Sequence, residues 1–147
     1  MIYFIILLCV GMVVGPLLAA LPSPRQRAIA ALRDIAGAAG VRISFRQSPN
    51  IPPRMRRLTD LNLVCYSVVV ASKVGRLLKP SLFVRSAGGW ESRDHDTAVP
   101  ELLINLPADA EIVAISSDDI SVYWDEQGDV NLVVSVLKSL HPDPELR

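Results

Sequence analysis

The chain opens on Met1-Ile-Tyr-Phe-Ile-Ile-Leu-Leu-Cys-Val-Gly-Met-Val-Val-Gly-Pro-Leu-Leu-Ala-Ala-Leu21, a stretch without a charged side chain. At about 1.5 Å of helical rise per residue, it reaches roughly the 30 Å thickness of the hydrocarbon core of a bilayer. We therefore predict a transmembrane helix over residues 1–21. A cleaved secretory signal is the alternative, but no Lys or Arg precedes the run, and the run is longer than the apolar core of such signals.

Basic side chains follow the apolar stretch, and none precedes it. Arg25, Arg27 and Arg33 are the first of them. Lys and Arg close to a span stay on the cytoplasmic side of the membrane. The sequence therefore predicts a single-pass protein with its N-terminus outside and its C-terminal domain in the cytoplasm. The three arginines would contact the lipid head groups.

Small residues recur every four positions in the apolar stretch, at Gly11, Gly15 and Ala19. This spacing aligns them on one helix face, where two helices can approach closely. We predict that this face packs against a second copy of the chain or against a partner helix. The alternative is that the small residues are ordinary in such a helix and that Pro16 only kinks it.

Residues 22–147 have the length of one compact domain. Apolar periodicity, turn residues and capping residues predict helices over 24–39, 97–106 and 130–140, and strands over 41–46, 61–71, 81–85, 111–116 and 120–124. Residues 130–140 also alternate like a strand, but Pro142 ends the run after a helical length. We predict an α+β fold: one N-terminal transmembrane helix, then a domain with an antiparallel or mixed sheet and two or three helices.

The net charge of zero hides an uneven distribution. Residues 22–86 hold twelve Lys and Arg against two acids, a net +10, whereas residues 87–147 hold three against thirteen, a net −10. Arg54, Arg56 and Arg57 form the densest basic cluster, in a proline-rich loop. They are candidates for contact with a partner or with lipid, and a solvated loop is the alternative. The cluster is short and lacks interleaved aromatic residues, which argues against nucleic acid as a partner.

Four metal-capable side chains lie close together in the sequence: Glu91, Asp94, His95 and Asp96. Carboxylates and an imidazole could hold a divalent ion and serve a metal-dependent hydrolase. The surrounding Gly-, Ser- and Asp-rich residues are more typical of a solvated loop. The sequence has neither a nucleophile elbow nor a nucleotide-binding loop. We therefore predict a non-enzymatic protein with no cofactor and no bound metal.

Two stretches carry a resemblance to known proteins. The apolar start with its Pro22-Ser-Pro-Arg-Gln-Arg27 exit, and Val122-Tyr-Trp-Asp-Glu-Gln-Gly128, resemble small single-pass bacterial inner-membrane proteins of unknown function. The first thirty residues also resemble YajC, the accessory subunit of the bacterial preprotein translocase. The glycine-rich segment expected after the YajC helix is not present.

These features together predict a membrane-anchored interaction or adaptor module of the bacterial inner membrane. Its surroundings would be the lipid bilayer. Its partner would be a protein, with a second copy held through the N-terminal helix as one candidate. The YajC resemblance implies an accessory role in preprotein translocation as the alternative, and the metal-dependent hydrolase is a further one.

Overall fold

A computed structural model describes residues 1–19, 22–52, 63–71, 75–76, 78–94 and 96–141. The chain divides into two compact units, Met1–Ala31 and Leu32–Arg147. The described residues form three α-helices, one 3₁₀ helix and a six-stranded antiparallel sheet.

The first helix, α1, spans Ile2–Ala19 and has 18 residues. Every residue from Met1 to Pro16 is exposed. Among the described residues, none of the helices combines the length and the apolar character that crossing a membrane requires. At about 1.5 Å per residue α1 is roughly 27 Å long, and a span needs about 20 residues.

The prediction of a transmembrane helix over residues 1–21 is therefore wrong, and the predicted fold class is wrong in its first element. The assignment to the bacterial inner membrane as a single-pass protein with a cytoplasmic domain rested on that helix, and it is corrected with it.

The second helix, α2, spans Pro24–Ala38 and begins where the sequence predicted. The backbone N–H of Gln26 donates to Ser23 Oγ at 3.2 Å, and the Ser23 N–H donates to Gln26 Oε1 at 2.9 Å. This reciprocal pair satisfies two N–H groups that a helix start leaves open. The chain leaves the helix at Gly40, whose φ of +82° suits a residue without a side chain.

The sheet belongs to the second unit. Its strands are β1 (Arg42–Ser44), β2 (Val64–Val69), β3 (Ser81–Ser86), β4 (Gly89–Ser92), β5 (Ala110–Ile115) and β6 (Asp119–Trp124). Their order across the sheet is β1-β2-β6-β5-β3-β4, and each neighbouring pair is antiparallel. In the described chain, β1 and β4 are therefore the edge strands.

Two hairpins occur where turn residues were predicted. Between β5 and β6, the Ser116 hydroxyl lies 2.9 Å from the carbonyl oxygen of Asp119 and accepts the Asp119 N–H at 3.0 Å. Between β3 and β4, only two residues separate the strands, and Gly89 has a φ of +123°. The sequence indicated the second turn but not the strand β4 that follows it.

The third helix, α3, spans Val130–Leu140, and the carboxylate of Asp129 caps it by accepting the Asn131 N–H at 2.8 Å. The short helix predicted over 97–106 is instead a 3₁₀ helix over Glu101–Asn105. Pro100 and Pro107 bracket this segment, and proline restricts the chain on both sides, so only about one tight turn fits between them.

One face of the sheet holds the main core, and the other holds a smaller cluster. The main core joins α3, the 3₁₀ helix and the end of α2 to the sheet around Tyr66, Phe83 and Trp124. The smaller cluster contains Cys65, Leu82, Val84, Ile112 and Tyr123. Residues that alternate along a strand point to opposite faces, so β2 and β6 contribute to both clusters.

Candidate functional site

The described part of the second unit contains an open cleft between the β3–β4 hairpin and the 3₁₀ helix. Its volume is about 550 Å³. The lining residues come from two segments: Arg85, Ser86, Ala87, Gly88, Gly89 and Trp90 on the hairpin, and Val99, Pro100, Glu101 and Ile104 at the 3₁₀ helix.

Alternating burial along the 3₁₀ helix determines what it presents to the cleft. Leu103 and Leu106 are buried in the main core and fix the segment in place. Ile104 lies between them and is 76% exposed, and Leu102 is 39% exposed. A large aliphatic side chain is therefore held at the rim of a concave surface by neighbours that cannot easily move.

Arg85 and Trp90 form the wall on the hairpin side. They lie directly opposite each other on β3 and β4. The guanidinium carbon of Arg85 lies 4.8 Å from the centroid of the Trp90 ring, and Arg85 Nη2 donates to the carbonyl oxygen of Leu106 at 3.2 Å. The stacked pair makes a stiff wall that is apolar at the ring and polar at the guanidinium.

The outer edge of β4 runs beside this wall. The Arg93 N–H donates to the carbonyl oxygen of Leu82 at 2.8 Å. Hydrogen-bonded pairs alternate with unbonded pairs in an antiparallel ladder, so Glu91 also bonds toward β3. The backbone N–H and C=O groups of Trp90 and Ser92 therefore point away from the sheet. No described residue bonds to them.

The lining of the cleft holds one cation, Arg85, and one carboxylate, Glu101, and the further acidic residues lie beside it in the sequence. Residues 85–104 carry four carboxylates and two arginines, a net −2 with His95 neutral. Glu91 and Glu101 are both exposed. Together, the described lining residues offer apolar contacts, an aromatic ring, a guanidinium and a carboxylate, which are groups suited to recognition.

A second polar group in this unit ties α2 to the loop after β6. The Arg33 guanidinium donates from Nε to Glu126 Oε1 at 2.8 Å and from Nη2 to Glu126 Oε2 at 2.7 Å. The Tyr66 hydroxyl donates to Glu126 Oε1 at 2.8 Å. The Glu126 side chain is only 4% exposed. Burial, followed by this hydrogen bond, raises the pKa of the Tyr66 hydroxyl.

The sequence did not point to this network. Glu126 was interpreted as a turn residue, since it lies in Asp125-Glu-Gln-Gly128. Its φ of +59° confirms a turn conformation, but that conformation also directs the carboxylate inward. No local pattern marks a turn carboxylate as buried, because its cation is 93 residues away in the sequence.

A third polar group lies on the face of the sheet opposite the main core. Arg46 Nη2 contacts Asp119 Oδ2 at 2.6 Å and Ser67 Oγ at 3.4 Å. Cys65 and Tyr123 lie opposite each other on β2 and β6. Burial, together with the adjacent Cys65 thiol, raises the pKa of Tyr123 to about 12. These groups satisfy one another and hold the end of β1 to β6.

The four residues considered as metal-ligand candidates, Glu91, Asp94, His95 and Asp96, are not brought together as ligands in the described structure. Glu91 lies on β4, and Asp94 and Asp96 are exposed in the bends after it. His95 lies outside the described residues. Among the described residues, no three His, Cys, Asp or Glu side chains converge as metal ligands.

The predicted basic contacts are found in different settings. Arg25 is exposed, and Arg27 Nε donates to the carbonyl oxygen of Pro22 at 3.1 Å. Arg33 is engaged by Glu126 as described above. Arg54, Arg56 and Arg57 lie outside the described residues. Contact of any of these arginines with lipid or with a partner stays a prediction.

Gly11 and Gly15 of α1 face open space. A side-chain carbon added at Gly11 or Gly15 would meet no atom within 4 Å. The side chain of Ala19 lies outside the description. Close packing of α1 against another helix through these residues stays a prediction.

Comparisons of the chain with known protein families, with characterised proteins and with solved structures found no match.

Proposed function

We propose that this chain is a non-enzymatic interaction module that binds a segment of a partner protein in the cleft between the β3–β4 hairpin and the 3₁₀ helix. One observation carries the proposal: Ile104 is 76% exposed at the rim of the cleft. Covering an exposed apolar side chain lowers the free energy of the complex by about 25 cal/mol for each Å² of apolar surface removed from water.

The neighbours of Ile104 support the same proposal. Trp90 and Arg85 are among the residue types that contribute most to binding at protein interfaces. The half-buried indole is stiffened by the guanidinium 4.8 Å from its centroid, so little conformational freedom is lost when a partner binds. A cleft of about 550 Å³ accommodates two or three side chains of a peptide but not a folded domain.

The test is selection of binders from a phage-displayed library of random dodecapeptides against the immobilised full chain in a mild detergent. Selected peptides should bind the unchanged chain in fluorescence anisotropy, and Ile104→Glu should weaken them at least about tenfold, since it places a charge at an apolar contact. Leu132→Glu is the matched control, because Leu132 is 41% exposed on α3, and it should leave binding unchanged. Peptides that bind equally well to both variants would refute the proposal.

A further inference from the structure

We infer that the partner segment is an extended basic chain that adds to the sheet as a seventh strand along the outer edge of β4. The inference rests on the function proposed above and specifies its ligand. Three features of the described residues carry it: the outward backbone groups of β4, the position of the cleft relative to that edge, and the charge along the edge.

The outer edge of β4 presents backbone hydrogen-bonding groups to a neighbouring chain. The carbonyl and N–H groups of Trp90 and Ser92 point away from β3 and meet no described partner. Their spacing is two residues, which is the repeat with which an antiparallel neighbour forms its hydrogen bonds. We take the added strand as antiparallel, since every described strand pair of this sheet is antiparallel. An extended chain placed about 4.8 Å from β4 would satisfy all four groups.

The cleft determines which side chains of the added strand fit on the face of the sheet that Trp90 shares. Trp90 points to the face of the sheet on which the 3₁₀ helix lies, and it lines the cleft together with Ile104. A residue of the added strand directly opposite Trp90 or Ser92 would point to the same face. Alternate side chains of the partner would therefore contact the cleft, and apolar side chains fit there.

The charge of Glu91 determines which side chains of the added strand fit on the opposite face of the sheet. Glu91 lies between Trp90 and Ser92, points to the opposite face and is exposed. Its neighbour across the ladder is Val84, an apolar residue. A Lys or Arg on the added strand would lie opposite Glu91, and opposite charges in directly facing positions stabilise a strand pair. Residues 85–104 have a net charge of −2 with His95 neutral, and Lys79, whose Nζ lies 3.3 Å from Thr97 Oγ1, leaves a net −1, so a basic residue is favoured opposite Glu91.

The inferred ligand is therefore a strand that alternates basic and apolar residues. Self-pairing of two β4 edges is less favourable in the register that joins Trp90 of one copy to Ser92 of the other. In that register the two Glu91 carboxylates would lie directly opposite each other, which destabilises the pair.

The first experiment measures binding of synthetic octapeptides to the full chain in detergent by fluorescence anisotropy. The probe is four Lys-Val repeats, and its acidic counterpart is four Glu-Val repeats. We expect the acidic peptide to bind at least about tenfold more weakly. Equal binding of the two peptides would overturn the assignment of a basic ligand.

Backbone methylation of the probe tests strand addition directly. In an antiparallel pair, a residue directly opposite Trp90 or Ser92 exchanges both hydrogen bonds with it. The valines would occupy these positions, so their N–H groups would face β4, whereas the lysine N–H groups would face water. Methylating the valine nitrogens should abolish binding, and methylating the lysine nitrogens should change it by less than about threefold. Equal effects of the two patterns would overturn pairing with β4.

A pair of protein variants gives the same test from the other side. Ser92→Pro removes an outward N–H that the β3–β4 ladder does not use, and proline is tolerated on such an edge. It should weaken the Lys-Val probe at least about tenfold, whereas Ser92→Ala should not. Circular dichroism melting checks that both variants fold. If Ser92→Pro does not fold, the methylated peptides alone test whether the ligand adds to β4 as a strand.

The outcomes separate this inference from the proposed function. If Ile104→Glu weakens selected dodecapeptides while Ser92→Pro and valine methylation have no effect on the probe, the cleft binds a partner but strand addition is refuted. If the full chain forms dimers that Ser92→Pro dissociates, the occupant is a second copy, and the inferred basic partner is refuted.

Discussion

Glu126 combines an uncommon backbone conformation with a buried charge. Its φ of +59° lies in the left-handed region, which costs roughly 1–2 kcal/mol for a residue with a side chain. Three hydrogen bonds to its carboxylate, two from Arg33 and one from Tyr66, offset that cost. Charge-assisted bonds in a bidentate geometry are among the stronger hydrogen bonds in proteins. The bonds from Arg33 and Tyr66 to the Glu126 carboxylate therefore stabilise this backbone conformation.

The raised pKa of Tyr123 makes the folded chain less stable at alkaline pH. Burial raises its pKa to about 12 in the folded chain, against about 10 in an unfolded one. The folded state therefore holds the proton more tightly, and stability falls as pH rises from 10 toward 12. The contribution at stake is about 2–3 kcal/mol, since one pKa unit corresponds to about 1.4 kcal/mol.

We expect the melting temperature of the unchanged chain to fall more between pH 9 and pH 11 than that of Tyr123→Phe. The variant should keep part of the dependence, because the pKa of the buried Tyr66 is also raised. Thermal melts followed by circular dichroism at both pH values measure the difference. Parallel losses in the two proteins would contradict the role assigned to Tyr123.

Among the described residues, the ion pair between Arg33 and Glu126 joins the C-terminal half of α2 to the loop after β6. Removing Arg33 would leave the Glu126 carboxylate buried with the Tyr66 hydroxyl as its remaining described donor. We expect Arg33→Ala to lower the free energy of unfolding by roughly 2–4 kcal/mol, because an uncompensated buried charge is expensive. Tyr66→Phe should cost about 1 kcal/mol, since the ion pair survives it.

Urea denaturation of the two single variants and the double variant measures these losses and their coupling. Arg25→Ala serves as the control, because Arg25 is exposed on the same helix, and it should change stability by less than about 0.5 kcal/mol. Equal effects of the Arg25 and Arg33 substitutions would show that the pair contributes nothing.

Caps and turns with local signals were predicted correctly from the sequence, whereas the local signals for a transmembrane helix over 1–21 and an α-helix over 97–106 were misleading. Ser23 and Asp129 cap their helices as their positions indicated, and Ser117 to Asp119 form the predicted hairpin turn. Strand β4 was missed because Gly89-Trp-Glu-Ser92 is short and begins at the second of two consecutive glycines. Its strand conformation depends on pairing with β3, which a local pattern does not reveal.

The order of strands was beyond sequence reasoning for the same cause. β2 pairs with β6, and Val64 and Trp124, which face each other, are 60 positions apart. The cleft is equally non-local, because its two walls come from hairpin residues 85–90 and from residues 99–104. No local pattern indicated that Trp90 would line a cleft, since the strand that carries it was not predicted.

At the level of the whole chain, we expect α1 and the chain from Pro22 onward to behave independently. The exposed apolar side chains of α1 favour association or binding to detergent micelles, because either one removes a large apolar surface from water. The sheet unit has its own core. We expect a chain that begins at Pro22 to be monodisperse without detergent and to melt within a few degrees of the full chain.

Light scattering coupled to gel filtration, with and without detergent, measures the first expectation, and circular dichroism measures the second. Retaining residues 22–38 keeps α2 and its Arg33 contact in both chains, so the comparison isolates α1. A shortened chain that fails to melt cooperatively would contradict the independence of the sheet unit.

The central position of β6 in the sheet has a consequence for the order in which the protein can form during synthesis. β2 leaves the ribosome long before β6, yet β6 is the strand that joins it to the rest of the sheet. Pairings between distant segments form slowly, because the intervening chain must first be ordered. We therefore expect the local β5–β6 hairpin to form early, whereas the β1–β2 segment stays without its β6 partner until residues 119–124 have been translated. During that interval Tyr66 and its neighbours lack their cover, and exposed apolar strands of this kind are the surface that chaperones shield.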